Sequence, residues 1–274
     1  MKRKKRLGRS FRNFIGFFII LLHAAPFYVL ITTAVKARGN YSSRWTLPKN
    51  FHWENFMIAL QDGKLLRSMS VTLFITAFST LLIVSIGAFA AYPLARFRSR
   101  MSNIVSLLML GVMMVPPLSV LVPLYRLMVT IHGLNTYWGI IILSATYGLP
   151  VSVFMYSNFI ATIPRDLDEA ALIDGCSRYS IFFRIILPSL KPVTSSVIIM
   201  TAINVWNDYS FQLYILQKPK MRTVTLMMTS FFGDGNTNMN AAAAATILSI
   251  IPLVLIYLAL SKYFVQGVID SAVK

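Results

Sequence analysis

Six long stretches of this chain carry no Lys, Arg, Asp or Glu: residues 14–35, 68–95, 101–125, 137–160, 192–207 and 241–261. The fourth belongs to a longer uncharged run, 127–164, whose opening residues His132, Gly133 and Asn135 read as a loop. A helix rises about 1.5 Å per residue, so about 20 apolar residues cross a hydrocarbon layer roughly 30 Å thick. The fifth stretch reaches that length by extending past Asp208. None of the six alternates polar and apolar residues as a barrel strand does. Lipid offers backbone amides no partner, so spans of this kind are helical. The pattern predicts an all-α polytopic membrane protein with six transmembrane helices.

Some of these helices are interrupted. Pro116 and Pro117 fall in the third, Gly148 and Pro150 in the fourth, and Pro252 in the sixth. Each proline removes a donor and crowds the preceding turn, so kinks are expected, with the Pro116-Pro117 pair the best hinge candidate. The run Ala241–Ala245 suits close approach of two helices.

Composition agrees and adds orientation. Of 274 residues, 56% are hydrophobic and 13% charged, too few to coat a soluble protein of this length. The net charge of +17 is unevenly spread. Segments 1–13, 94–102, 161–191 and 262–274 hold 16 of the 26 Lys and Arg in 66 residues; segments 36–67, 124–136 and 208–241 hold ten in 79. The positive-inside rule therefore places both termini in the cytoplasm, with Lys2, Arg3, Lys4, Lys5 and Arg6 the strongest vote. The basic start resembles a signal peptide, but 22 apolar residues without a clean cleavage site read as an uncleaved first span. A single cysteine, Cys176, leaves no internal disulfide framework, and the three histidines form no metal motif.

The informative segment is the cytoplasmic loop 161–191, between spans four and five. Asp166 and Glu169 have capping-box spacing behind Pro164, Ala170, Ala171 and Leu172 continue a short helix, and Gly175 ends it. Ser177 suits the cap of a second helix whose Ile181, Phe182 and Ile185 face the membrane or the bundle, and Pro188 closes it. A short amphipathic helix across the mouth of a bundle is placed to be pushed by a partner.

Glu169-Ala170-Ala171, then Gly175, Ile185 and Leu187-Pro188, resemble the EAA-x3-G-x9-I-x-LP signature of the membrane subunits of bacterial ABC importers. The likeness extends through residues 90–97 (Ala-Ala-Tyr-Pro-Leu-Ala-Arg-Phe), Met114-Val115-Pro116-Pro117, Pro123-Leu124-Tyr125, Gly133-Leu134-Asn135-Thr136, Trp206-Asn207-Asp208 and the tail Tyr263 to Gly267. It is nearest to the smaller, maltose-type permease subunit of carbohydrate importers. Arg67-Ser68-Met69-Ser70 departs from the family's usual Asn-Ser there. The resemblance implies a MetI-like permease architecture: a basic cytoplasmic N-terminus (1–13), one six-helix permease domain (14–264) and a cytoplasmic tail (265–274). It implies a multi-pass protein of the cell (inner or plasma) membrane. Its expected partners are a second homologous permease subunit, a cytoplasmic ABC ATPase dimer and an extracytoplasmic solute-binding protein. On that reading Glu169 makes the polar contact with the ATPase, Ala170 and Ala171 let the loop helix sit close, and Gly175 permits the turn. Asp174, Ile185, Leu187 and Pro188 complete the ATPase-coupling set.

No G-x-x-x-x-G-K-[ST] occurs, so ATP is expected to be hydrolysed by a partner subunit, with no cofactor on this chain and no enzymatic activity of its own. The spans lack acidic residues except near Asp208, which weighs against coupling to an ion gradient. A wall for sugars or oligosaccharides should offer aromatic faces and neutral polar groups; Tyr156 and Asn158 on span four and Asn204, Trp206 and Asn207 on span five are the candidates. Trp and Tyr equally suit headgroup depth. The turn-rich Gly233-Asp-Gly-Asn-Thr-Asn238 is either an outer contact for the binding protein or a connector. An importer for a non-sugar solute and a stand-alone secondary transporter are the rival readings; nucleic acid is not an expected partner.

Overall fold

The structure is a computed structural model that describes residues 2–40, 42–61, 64–97, 99–232 and 238–272, with backbone alone for 2–12 and 263–272. The described residues are helical, without strands. Among the described residues four helices are long and apolar enough to cross a membrane, or up to six if each of two bent pairs is one span. The chain divides into two compact units, Met1–Leu66 with Met227–Ile251, and Arg67–Leu226 with Pro252–Lys274.

The first unit contains α1 (Lys2–Ala34), α2 (Glu54–Gln61) and the opening of α13 (Met239–Ala272). Helix α1 starts inside the basic segment rather than at residue 14, because Lys and Arg are good helix formers. The end of α1 is closed by Asn55 on α2, whose amide donates to the carbonyls of Ala34 and Lys36, both at 2.8 Å. Those carbonyls would otherwise lack intrahelical partners. Asn240 donates to the Thr33 carbonyl at 2.8 Å, and Ala241 to Ala245 are all buried, as the small-residue run implies.

The second unit is built on α3 (Leu65–Arg96), α6 (Tyr137–Thr162) and α10 (Lys191–Asn207). Glycines let α3 and α6 approach: a Cβ at Gly87 would collide with Ser152 Oγ, and one at Gly148 with Ile83 Cδ1. Ser152 Oγ donates to the Ile83 carbonyl at 3.2 Å across the same seam. The loop before α6 turns through left-handed His132 and Asn135, and Thr136 caps the helix by accepting from Gly139 N. The helix starts at Tyr137, where the sequence places it.

One predicted span is not a continuous helix, and another ends earlier than expected. The third divides into α4 (Arg100–Met113) and α5 (Leu121–Thr130), joined by a tight turn at Pro117–Val120, with a bend of 95°. The adjacent prolines remove consecutive donors, so a break replaces the expected kink. The fifth, 192–207, lies within the continuous α10, which ends at Asn207 with Asp208 extended, so the expected extension past Asp208 is not made; a bend of 73° separates α10 from the preceding loop helices Arg178–Ser189. By contrast α6 runs through Pro150 and α13 through Pro252. Short helices α11 (Ser210–Ile215) and α12 (Val224–Met228) follow α10. Helix α13 continues to Ala272, so the stretch from 265 is helical as far as it is described. Residues 233–237 of the turn-rich segment, and the side chains of Tyr263 to Gly267, lie outside the described residues.

Candidate functional site

The loop between α6 and α10 folds into α7 (Asp166–Ile173), α8 (Arg178–Ile181), a π-helical turn (Phe182–Ile186) and α9 (Leu187–Ser189). Three acids, Asp166, Asp168 and Glu169, occupy the first turn of α7, where the helix dipole favours negative charge. The expected capping box does not form. Arg165 precedes the helix, and its carbonyl receives the N–H groups of Asp168 and Glu169 at 2.9 and 3.1 Å, leaving the carboxylates free for other work.

The C-terminus of α7 is a Schellman motif. Cys176 N donates to the Ala171 carbonyl at 2.9 Å and Gly175 N to that of Leu172 at 3.0 Å, with Gly175 at φ +80°. Ser177 then caps α8, accepting from Ser180 N at 3.3 Å. Pro188 supplies no N–H, and the helix accommodates it with the π-turn just before, closed by Leu187 N donating to the Phe182 carbonyl.

The two faces of this loop differ in kind. Outward, Glu169 is exposed and pairs with no described residue, flanked by exposed Leu167, Leu172, Ile173 (87%) and Tyr179 (69%). Inward, Ala171, Ile181, Phe182 and Ile186 share one apolar cluster with Ala91 and Tyr92 of α3, Tyr156 and Ile160 of α6 and Val193 of α10. The loop is therefore part of the core of the helices it joins.

A buried ion pair fixes it there. Arg96, the last residue of α3, sends Nη2 to Asp168 Oδ1 at 3.2 Å and Nη1 to the Ile163 carbonyl at 3.0 Å. Its Nε stands 3.0 Å from Oδ2 without the alignment of a hydrogen bond, so that contact is coulombic. Tyr92 OH donates to Asp168 Oδ2 at 3.3 Å. The Arg178 guanidinium lies over the Phe97 ring at 4.5 Å, so α8 is tied to the same end of α3.

A second feature is a cavity of about 260 Å³ between α3, α6, α10 and α11. Its polar wall is Ser144, Tyr147, Ser152, Thr201, Asn204 and Asp208, and its apolar wall includes Ile83, Met155 and Met200. Asp208, one residue beyond α10, accepts from Phe211 N at 3.3 Å through Oδ1, while its buried Oδ2 has no partner among the described residues. Burial raises its carboxyl above the ordinary range, opposed by the backbone N–H groups of Phe211, Gln212 and Ser210.

Of the five pathway candidates, Asn204 alone lines this cavity. Tyr156 is fully buried, its hydroxyl on Thr194 Oγ1 at 3.1 Å, and Trp206 is 2% exposed. Asn158 and Asn207 are exposed, and the Asn207 amide donates to the Ile203 carbonyl at 2.9 Å. The structure does not bring the five together. In the loop set, Glu169, Ala170, Asp174, Gly175, Leu187 and Pro188 are exposed, whereas Ala171 is buried and Ile185 partly so. Tyr147, Thr201 and Asp208 were not anticipated as wall residues, nor Arg96 as a partner of Asp168. Their signals were Gly148 beside Tyr147 and a single Arg ending a long apolar helix above an acidic turn. Among the described residues no group of three or more His, Cys, Asp or Glu is placed to hold a metal ion.

The described residues thus form broken and continuous apolar helices of membrane-spanning type, with an exposed loop helix rooted in their core. Residues 83–270 match the family of binding-protein-dependent transport system inner membrane components, and the chain belongs to that family. It is 42% identical over 253 residues to the melibiose/raffinose/stachyose import permease protein MelC of Bacillus subtilis (strain 168), covering 92% of each chain. It is 33% identical to a probable starch degradation products transport system permease protein, AmyC, of Thermoanaerobacterium thermosulfurigenes, covering 99% of each. Its fold matches a chain in the crystal structure of a bacterial ABC transporter involved in the import of the acidic polysaccharide alginate. There the TM-score is 0.82 at 20% identity, over 96% of this chain and 98% of that one. A structure of a bacterial alginate ABC transporter in complex with an alginate pentasaccharide-bound periplasmic protein matches at a TM-score of 0.69 and 18% identity, over 94% and 93%. The chain is thus a multi-pass inner membrane component of a transport system.

Proposed function

We propose that this chain is one of two permease subunits of an ATP-driven importer and forms half of the pathway for a sugar or oligosaccharide. The observation that carries the reading is the two-faced loop: an exposed acidic and apolar outer face on a helix whose inner face lies in the core of three long helices. A partner that moves this helix moves the bundle. A cytoplasmic ABC ATPase dimer is that partner, with Glu169 receiving a cation from it and Leu172 and Ile173 filling an apolar cleft. Asp174 at the C-terminus of α7 opposes the helix dipole, a locally unfavourable placement that suits a cationic partner.

Six spans with cytoplasmic termini put this loop on the ATPase side and residues 36–67 and 208–241 on the side of a solute-binding protein. A second, homologous permease subunit completes the pathway. The cavity wall of hydroxyls, Asn204 and Tyr147 suits a neutral polyol. Raffinose is the first substrate to try, because MelC is named for it. The test is ATP-driven uptake of labelled raffinose and maltodextrin by vesicles holding the permease pair, the ATPase and the binding protein. Uptake that needs ATP and fails in Glu169→Ala is expected; uptake driven by an ion gradient without the ATPase would establish the secondary-transporter reading instead.

A further inference from the structure

The apolar stretch of α1, Asn13–Ala34, is largely unburied within the chain. Two polar side chains stand near its far end, Tyr28 and Thr32, one turn apart on one face. Both hold a segment that has already left the helix. Thr32 Oγ1 donates to the Arg44 carbonyl at 2.6 Å, and Tyr28 OH donates to the Trp45 carbonyl at 2.9 Å. The Tyr28 and Trp45 rings stack with centroids 6.2 Å apart. The chain therefore passes the end of α1, turns back along it as far as Tyr28, and climbs again to His52. There the His52 N–H donates to the Val35 carbonyl at 2.9 Å. Tyr28 precedes Ala34 by six residues, so the tip of this hook lies about 9 Å inside the apolar stretch.

Backbone at that depth needs partners of its own, because hydrocarbon supplies none. The hook has them. Trp45 N donates to Ser43 Oγ at 3.4 Å and Thr46 N to the Ser43 carbonyl at 3.0 Å. The buried Lys36 ammonium donates to that same carbonyl at 2.6 Å. With the carbonyls of Arg44 and Trp45 taken by α1, the turn is prepared for a medium poor in water. Its large side chains face outward instead. Trp45 (61% exposed), Leu47, Phe51 and Trp53 (65%) project from the fold, and Phe51 stacks on Trp53 with centroids 6.2 Å apart. Lys49 stands exposed among them. Exposed indoles beside a lysine are the composition of a membrane–water boundary.

We propose that residues 43–53 form an interfacial hook that enters the phospholipid headgroup layer on the side opposite the termini and sets the depth of α1. Only the choice of side rests on the orientation proposed above. The basic residues Lys2 to Arg6 hold the other end of the same helix, so α1 is pinned at both interfaces. A solute-binding protein docks from the water and does not reach a level inside the apolar stretch. A second permease subunit packed there would meet bulky rings, where helix contacts in lipid favour small residues. Lipid accommodates those rings without a matching surface.

The test places the photoreactive residue p-benzoylphenylalanine at position 45, 47 or 51 of the assembled transporter in phosphatidylcholine nanodiscs. After irradiation, mass spectrometry identifies what each position has captured. Phospholipid adducts at all three are expected, with insertion from position 45 into the first acyl carbons. Tyr28→Phe combined with Thr32→Val removes both hydroxyls and keeps the side-chain shapes. The two carbonyls then lose their partners, so the hook should lift and lipid capture at 45 should fall about fivefold. Either single variant should fall between the parent and the double variant. Adducts with the second permease or the binding protein at 45 and 47 would overturn the proposal and give the hook to that protein. Lipid capture unchanged in the double variant would overturn it too, since the two hydroxyls would then not set its depth. ATP-driven sugar uptake by the same preparation reports on the transport reading separately, so either can fail alone.

Discussion

Arg96 and Asp168 lie 72 positions apart in sequence, yet their side chains form a buried ion pair with 5% and 14% of their surfaces exposed. The arginine ends α3 and the aspartate sits in the first turn of α7, so the pair bolts the end of a long helix to the loop proposed to meet the ATPase. With Tyr92 and the Ile163 carbonyl completing the shell, the two ions have partners on several sides. That is the condition under which burying charge is tolerated.

Arg96→Met should therefore do more harm than loss of one contact. It strands the Asp168 carboxylate in a low-dielectric site, and breaking a buried pair costs about 3–5 kcal/mol. Asp168→Asn should be milder, because the amide still accepts from Nη2. The expected phenotype is a subunit that inserts and retains its partners while uptake falls and ATP hydrolysis no longer responds to substrate. Reversing the pair (Arg96→Asp with Asp168→Arg) should restore only part of the uptake, since the bond to Ile163 is not rebuilt. Normal coupled uptake by Arg96→Met would show that the pair is dispensable.

Gly175 is held at φ +80° with open space where a side chain would stand, so its requirement is conformational and not steric. Gly175→Ala should cost about 1–2 kcal/mol, the usual left-handed penalty, and Gly175→Asn less, because Asn tolerates that region. Gly175→Pro also deletes the N–H that donates to Leu172 and should abolish uptake with insertion intact. Thermal melting and uptake of the three variants, side by side, check the order Asn, Ala, Pro.

The seam between α3 and α6 makes a sharper case. Gly148→Ala drives a methyl into Ile83 Cδ1, the end of a flexible side chain that also lines the cavity. Relief should come from Ile83→Val, which removes that carbon. The double variant is expected to recover most of the melting temperature lost by the single one, a coupling of about 0.5–3 kcal/mol for residues in contact. Gly87→Ala meets Ser152 Oγ and Cβ instead and should not be rescued by the same change.

The loop helix α7 was legible in the sequence because its signals are local. Proline, an acidic first turn and Gly175 act within a few residues, and the structure has the helix where they place it, although no side chain caps it and Asp166 is its first residue. The break in the third span was legible in position, through Pro116 and Pro117, but not in size, since a proline pair does not state whether packing turns a kink into a 95° bend. The cavity wall was mostly illegible. An aromatic or amide on an apolar helix has the same sequence signature whether it faces a void, a neighbour or lipid, and helix rotation is set by packing partners distant in sequence. Tyr156 and Trp206 resemble pathway residues by type, yet Thr194 and the core claim them.

Asn204 and Trp206, two residues apart on α10, should therefore fail in opposite ways. Asn204 lines the cavity, so Asn204→Leu removes a polar group from its wall without leaving a void. Its expected effect is a weaker apparent affinity for sugar, about three- to tenfold for a neutral hydrogen bond worth roughly 1 kcal/mol, with ATPase coupling and melting temperature near those of the parent. Trp206 is 2% exposed, and Trp206→Ala opens a cavity in the packed core at a cost of about 3–5 kcal/mol. That variant should be recovered in lower yield and melt earlier, while the molecules that remain folded keep the parent affinity. Sugar titrations of uptake, normalised to folded protein, separate the two outcomes. A change of affinity in Trp206→Ala with unchanged melting would place that indole in the pathway after all and require α10 to rotate during the transport cycle.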